Sequence, residues 1–261
     1  MVKEKEPLEI EAQGYKAGYN PMFGEFNRRF DFAPIPYSGS KNNRRKFIKQ
    51  VRRELADVKF VYFGEVKLDI TLYFDEQKRL ETPELADLDN YAKLLCDALK
   101  GPHGLLIDDT QIQSLFISWI DTPLHYYFTI RLNGNPDDYV MKPISLYEMP
   151  NHLFYPISSK SRTKEGIKNN PPKQRNLLLA VLYVMIENSQ AFRQTLQEED
   201  WQPIEAFWAS RGMLPILAGF HKSRVVDSGF NLYHLEEWAT NVAFKETLAE
   251  IRYSSTERLE L

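Results

Sequence analysis

The chain has one cysteine in 261 residues, Cys96, so it has no intramolecular disulfide framework and no zinc-finger spacing. Cys96 falls inside an apolar helical pattern, where a lone thiol packs as a small core residue. A surplus of positive charge is also missing. Lys and Arg number 33 against 36 Asp and Glu, for a formal charge of −3, whereas a strongly basic chain would advertise nucleic-acid binding. That weighs against a nucleic-acid role without excluding it, because affinity depends on where the basic side chains sit and metal-holding carboxylates themselves lower the total. No apolar run is long enough to cross a bilayer: Leu177–Ile186 is the longest. The first residues, Met-Val-Lys-Glu-Lys-Glu-Pro, lack a signal-peptide apolar core. The expectation is a cytoplasmic protein with no membrane role. His221 and His234 have no metal-ligand spacing with one another, and no helix-turn-helix pattern stands out. What remains is an apolar fraction of 43%, ordinary for a chain with a sizeable core, and a length that suits one large domain or two small ones.

The charged chemistry concentrates in Leu85–Gly101 and Leu106–Ile112. Asp89, Lys93 and Asp97 are spaced i, i+4, i+8 and fall on one helix face. Tyr91, Leu94, Leu95, Ala98 and Leu99 make the opposite, apolar face, and Gly101-Pro102 stops the helix. Asp87 belongs in an extended lead-in, with Asp89 at or near the helix N-cap, where a carboxylate suits the positive end of the dipole. Carboxylates from neighbouring elements hold hard divalent cations such as Mg²⁺, which activate water and stabilise charge on a phosphodiester. A lysine one turn away can hold the phosphate or position the water. The spacing alone leaves a second account open: a helix cap, a solvated loop Asp, a Lys93–Asp97 surface pair and an Asp108-Asp109 turn.

The run Asp-Leu-Asp-Asn-Tyr-Ala-Lys-Leu-Leu-Cys-Asp-Ala-Leu, a short loop, then Ile-Asp-Asp-Thr-Gln-Ile, resembles the RusA family of Holliday junction resolvases. That family carries D-x-D-N, a lysine three residues after the Asn, D-A-L, a short loop and D-D-x-Q-V. The resemblance runs from Asp87 to Ile112 and covers roughly the N-terminal half of the chain. It implies a metal held by Asp87, Asp89 and Asp109, with Lys93 as the catalytic lysine; Asp97 and Asp108 match with weaker claims to a role. It also implies Mg²⁺, or Mn²⁺ in its place, and a homodimer. Its two sites would nick symmetric strands of a four-way junction in DNA recombination and repair. Pro102 and His103 have no counterpart in the pattern.

Elsewhere the chain reads as follows. Residues 1 to about 37 scatter aromatics, Tyr15, Tyr19, Phe23, Phe26, Phe30 and Phe32, without a clean period. Packing accounts for them better than stacking on unpaired bases, and a strand near Arg28–Ala33 is suggested. Ser38-Gly39-Ser40 introduces a basic helix with Lys41, Arg44, Arg45, Lys46, Lys49, Arg52 and Arg53 around an apolar stripe of Phe47, Ile48, Val51 and Leu55. Lys41, Arg44, Arg45, Lys49 and Arg52 are candidate contacts to DNA phosphates; a solvated face is the alternative. Val66–Phe74 alternates as a strand, with Phe60–Phe63 beginning it or pairing ahead of it. Ile112–Ile120 and Leu124–Leu132 read as an antiparallel hairpin turning at Asp121-Thr122-Pro123.

The expected fold class is α+β: a small mixed or antiparallel sheet packed with helices, followed by a smaller all-helical domain. The catalytic domain is placed at residues 1–138, ending in the loop Asn133–Asp138. A proline-containing basic linker follows at 139–175, and a helical domain with no assigned partner at 176–261, with helices at Leu177–Gln197, within Trp201–Phe220 and at Tyr233–Tyr253. The expected activity is a metal-dependent endodeoxyribonuclease acting on branched DNA. A nuclease of the same fold acting on flaps, single strands or RNA is the first alternative. A non-catalytic DNA-binding module is the second, although carboxylates facing phosphates would weaken pure binding.

Overall fold

The computed structural model describes residues 24–83, 86–123, 125–135, 138–163, 166–212 and 219–257. Tyr15, Tyr19, Phe23, Leu85 and Leu124, named above, lie outside them. The chain is α+β and divides into two units, Met1–Lys142 and Pro143–Leu261.

The first unit runs β1 (Glu25–Phe30), α1 (Lys41–Glu54), β2 (Phe60–Tyr62), β3 (Val66–Phe74), α2 (Glu76–Glu81), α3 (Leu88–Leu99), a 3₁₀ turn (Asp109–Gln111), β4 (Ile112–Asp121), β5 (Tyr127–Gly134) and β6 (Tyr139–Met141). Its main sheet has the order β1-β5-β3-β4. β3 is the strand its alternation predicts: Val66, Leu68, Ile70, Leu72 and Phe74 are buried and the residues between them are not. Together with Phe128, Ile130 and Leu132 of β5, Phe26 and Phe30 of β1, Phe47 and Val51 of α1 and the apolar face of α3, they form one core. The aromatics of β1 are thus packing residues; Phe30 stacks on Phe128 with ring centroids 4.7 Å apart.

The hairpin expected at 112–132 is not there. β4 runs parallel to β3, and β5 lies antiparallel between β3 and β1. The physical reason lies in the burial of the two strands. β5 buries Phe128, Ile130 and Leu132 and sits inside the sheet, whereas β4 leaves Leu115 46%, Phe116 58% and Ile120 48% exposed and forms the sheet edge. A parallel neighbour requires a crossover connection, which α3 supplies between β3 and β4. Phe60–Tyr62 pairs with neither: β2 takes β6 as its antiparallel partner. The segment 139–141 is therefore structured, and Phe63 donates its N–H to the Asp138 carbonyl at 3.0 Å.

In the second unit the stretch expected as a linker folds largely as strands: β7 (Ile144–Glu148), β8 (Leu153–Ser158), β9 (Lys160–Thr163) and β10 (Gly166–Asn169). α4 (Pro172–Glu198), α5 (Pro203–Arg211), β11 (Phe220–His221), α6 (Lys222–Val225), β12 (Asn231–Tyr233), α7 (Leu235–Trp238) and α8 (Val242–Glu257) follow. A sheet of order β11-β8-β7-β12 shares a core with α4 and the C-terminal helices through Tyr147, Tyr155, Ile157, Leu179, Leu182, Ile186, Trp238 and Phe244. The C-terminal part is thus mixed rather than all-helical. The single helix expected over Tyr233–Tyr253 is divided, because Asn241 accepts from the Ala243 N–H at 2.9 Å and starts a new one. His234 contacts Glu148 (Nδ1 to Oε2, 2.8 Å) and His221 accepts from the Ser223 N–H, so both are structural. Among the described residues no helix is long and apolar enough to cross a membrane.

Candidate nuclease site

α3 organises the site. Asp87 is its N-cap in extended geometry, without a side-chain cap bond, and Asp89 stands in the first turn. Both are exposed, and among the described residues neither carboxylate has an ion-pair or hydrogen-bond partner. Two negative charges are thus held two residues apart at the helix N-terminus, where the dipole favours them. Tyr91, Leu94, Leu95, Cys96, Ala98 and Leu99 fasten the other face into the core. Gly101 ends the helix at φ +94°, a left-handed geometry that glycine adopts without a Cβ penalty. The following loop folds back, with the Leu105 and Leu106 N–H groups donating to the Leu99 carbonyl at 2.6 and 3.0 Å.

The Asp108-Asp109 pair is set by a residue whose role the sequence reading did not assign. Gln111, 5% exposed, accepts from the Ile107 and Asp108 N–H groups at 2.7 and 3.0 Å. It donates to the Tyr62 and Gly64 carbonyls at 3.0 and 2.9 Å. Asp108 is buried and caps the 3₁₀ turn by accepting from the Thr110 N–H, a structural role. Asp109 is half-buried and turned to Lys100, whose ammonium reaches Asp97 Oδ1 at 2.9 Å and Asp109 Oδ2 at 3.2 Å. Burial alone would lower the Lys100 pKa; Asp97 and Asp109 outweigh it and hold the ammonium above its ordinary value. Lys100 is the second residue missed. It sits at the helix stop, outside the i, i+4, i+8 series, and Asp97 pairs with it rather than with Lys93.

Asp87, Asp89 and Asp109 do not converge as a preformed ligand set: among the described residues no three His, Cys, Asp or Glu side chains are grouped to hold one ion. The donor chemistry nonetheless fits a hard divalent cation. Two exposed carboxylates, without partners among the described residues, stand two residues apart at the helix start, and the third neutralises its charge on an ammonium, the kind of partner a metal replaces.

Lys93 is exposed, with Nζ 4.1 Å from the centroid of the Tyr37 ring. Of the basic residues of α1, Lys41, Arg45, Lys46, Lys49 and Arg53 are exposed. Arg45, Ile48, Lys49, Arg52, Arg53 and His103 line one groove. Arg52 is the exception among the expected DNA contacts. Its guanidinium is partly buried and donates to the Asp97, Ala98 and Lys100 carbonyls at 3.3, 3.3 and 2.8 Å. It thereby satisfies the end of α3, where carbonyls lack helical partners, so its hydrogen-bonding edge is spent on the fold. Cys96 is buried, and its thiol is pushed up to about 11 by burial and by the nearby Asp109 and Asp97 charges.

Residues 32–128 match the family model described as endodeoxyribonuclease RusA. The match spans Asp87, Asp89, Lys93 and Asp109 together with all of α1, and leaves out the second unit. No curated protein matches the chain. Over residues 32–128, the N-terminal part of this chain is therefore similar to the RusA endodeoxyribonucleases.

Proposed function

We propose that the chain is a Mg²⁺-dependent endodeoxyribonuclease that resolves four-way DNA junctions by paired, symmetric nicks, acting in the cytoplasm as a homodimer. The observation that carries this reading is the family match over residues 32–128, with Asp87 and Asp89, at the start of α3 inside it, exposed and without partners among the described residues. Asp87, Asp89 and Asp109 are the proposed metal ligands, and Mn²⁺ would serve in place of Mg²⁺. The ion would supply an activated water and neutralise charge developing on the phosphodiester. Lys93 holds the scissile phosphate or orients the water. Lys41, Arg44, Arg45 and Lys49 grip flanking phosphates; Arg52 is withdrawn from that group and assigned to the fold.

A homodimer is supported by β4. It is a sheet edge with exposed Leu115, Phe116 and Ile120, and an apolar edge strand is a template for pairing with another chain. The first unit carries the proposed activity; residues 143–261 are proposed as an accessory domain.

The test uses a labelled four-way junction, a matching duplex and a flap, each incubated with wild type and Asp89→Asn, with and without Mg²⁺. Paired nicks on the junction alone, lost in the variant while binding persists, are expected. Cutting spread over flap and duplex would keep the metal chemistry and discard junction specificity. Binding without cutting under any metal would reduce the chain to a binding module.

A further inference from the structure

Tyr37 lies in the connection from β1 to α1, between Pro36 and the Ser40 N-cap. Two contacts fix it. Its N–H donates to the Asn90 carbonyl at 2.9 Å, tying it to the first turn of α3 beside Asp89. Its half-buried ring carries two cations from two different helices: Lys93 Nζ of α3 at 4.1 Å and Arg44 Cζ of α1 at 4.3 Å from the centroid. Among the described residues neither cation has a carboxylate or a hydrogen-bond partner, and Arg44 Nε is buried with none. Two like charges drawn together without an anion repel one another. An aromatic ring is negative on both faces, and that is what offsets the repulsion here. Neither charge is neutralised by an anion among the described residues.

We propose that Tyr37 is the positioning residue of the nuclease site, holding Lys93 and Arg44 on one ring so that both cations meet the same phosphodiester beside Asp87 and Asp89. This rests on the nuclease reading above and extends it in two respects. It gives the lysine a defined orientation through a π face, and it moves Arg44 from a flanking DNA contact to the phosphate being cut. The hydroxyl of Tyr37 has no part in it; the ring does.

The ring can be tested without a change of shape. Tyr37→Phe and a series with mono-, di- and trifluorinated phenylalanine at position 37 progressively drain the ring's negative face while keeping its size. Single-turnover cutting of the junction is measured at saturating protein in Mg²⁺, with Lys93→Ala as the floor and junction affinity recorded without metal. Tyr37→Phe is expected within about twofold of wild type. The rate should then fall stepwise with fluorination, by about tenfold in all. A rate that is flat across the series overturns the inference and leaves the nuclease reading intact, as does a Tyr37→Phe variant already as slow as the trifluoro form. A wild type that cuts no substrate removes the nuclease reading and this inference together.

Discussion

Replacing Gln111 with alanine removes one side chain and strands four backbone groups: the Ile107 and Asp108 N–H and the Tyr62 and Gly64 carbonyls. All four bonds are buried. A buried donor or acceptor left without a partner costs about 1–3 kcal/mol, and a water entering the vacated volume recovers part of that, so a total loss of about 3–5 kcal/mol is expected. Gln111→Glu is a sharper probe. It keeps an acceptor for the two N–H groups but sets a carboxylate against two carbonyls, so at neutral pH it should be at least as destabilising as alanine. Protonation of the introduced acid restores a donor, so its deficit should shrink as pH falls. Urea unfolding measures the loss. Hydrogen exchange over the peptide containing Ile107 and Asp108 localises it, with those two amides exchanging at least about a hundredfold faster, the equivalent of about 3 kcal/mol. Because Gln111 also holds the loop that carries Asp109, metal-dependent cutting should fall with stability. A loss below about 1 kcal/mol with unchanged exchange would refute the claim that this side chain builds the Asp108-Asp109 corner.

Three further outcomes separate roles that look alike in sequence. Arg52→Met should cost about 2–3 kcal/mol through the unsatisfied end of α3, yet leave the salt dependence of DNA binding unchanged. Arg45→Gln combined with Lys49→Gln should barely affect stability but lower the slope of log affinity against log salt by about 2, two phosphate contacts' worth of counterion release. Cys96, with its thiol pushed up to about 11 and buried, should react with iodoacetamide at pH 8 at least about a hundredfold more slowly than free cysteine, and at the free rate once unfolded in urea.

β3 and α3 were legible because their apolar positions recur at 2 and at 3.6 with hardly an exception, and burial follows that recurrence residue by residue. The neighbour of a strand is not written in its alternation. Ile112–Asp121 and Tyr127–Gly134 both alternate well enough to be strands, but only the comparison of their burial reveals that one is an edge and the other a centre. The linker reading failed for a related reason. Pro143, Pro150 and Pro156 look like breakers, yet Pro156 sits within β8 opposite Leu146. Among the described residues β11 pairs with β8 only at Leu153 and Phe154, so there the missing N–H of Pro156 interrupts no ladder. Of the candidate site residues, Asp89 and Lys93 share a face of one helix and are read from spacing, whereas Asp87, its N-cap, is given a role only by the resemblance. Tyr37 reaches Asn90 by a main-chain bond and Lys93 by its ring, 53 and 56 residues away, while Lys100 and Gln111 act across 9 and up to 49 residues.

The most direct test of the account is a Mn²⁺ titration of metal-stripped protein bound to a four-way junction, with bound metal and strand cleavage followed in the same samples. Wild type should bind Mn²⁺ and cut as the site fills. Asp87→Asn, Asp89→Asn and Asp109→Asn should each lose both while retaining junction affinity and unfolding midpoint. Metal binding and cutting that survive all three substitutions would contradict the assignment of these carboxylates, and with it the account of how this chain acts on DNA.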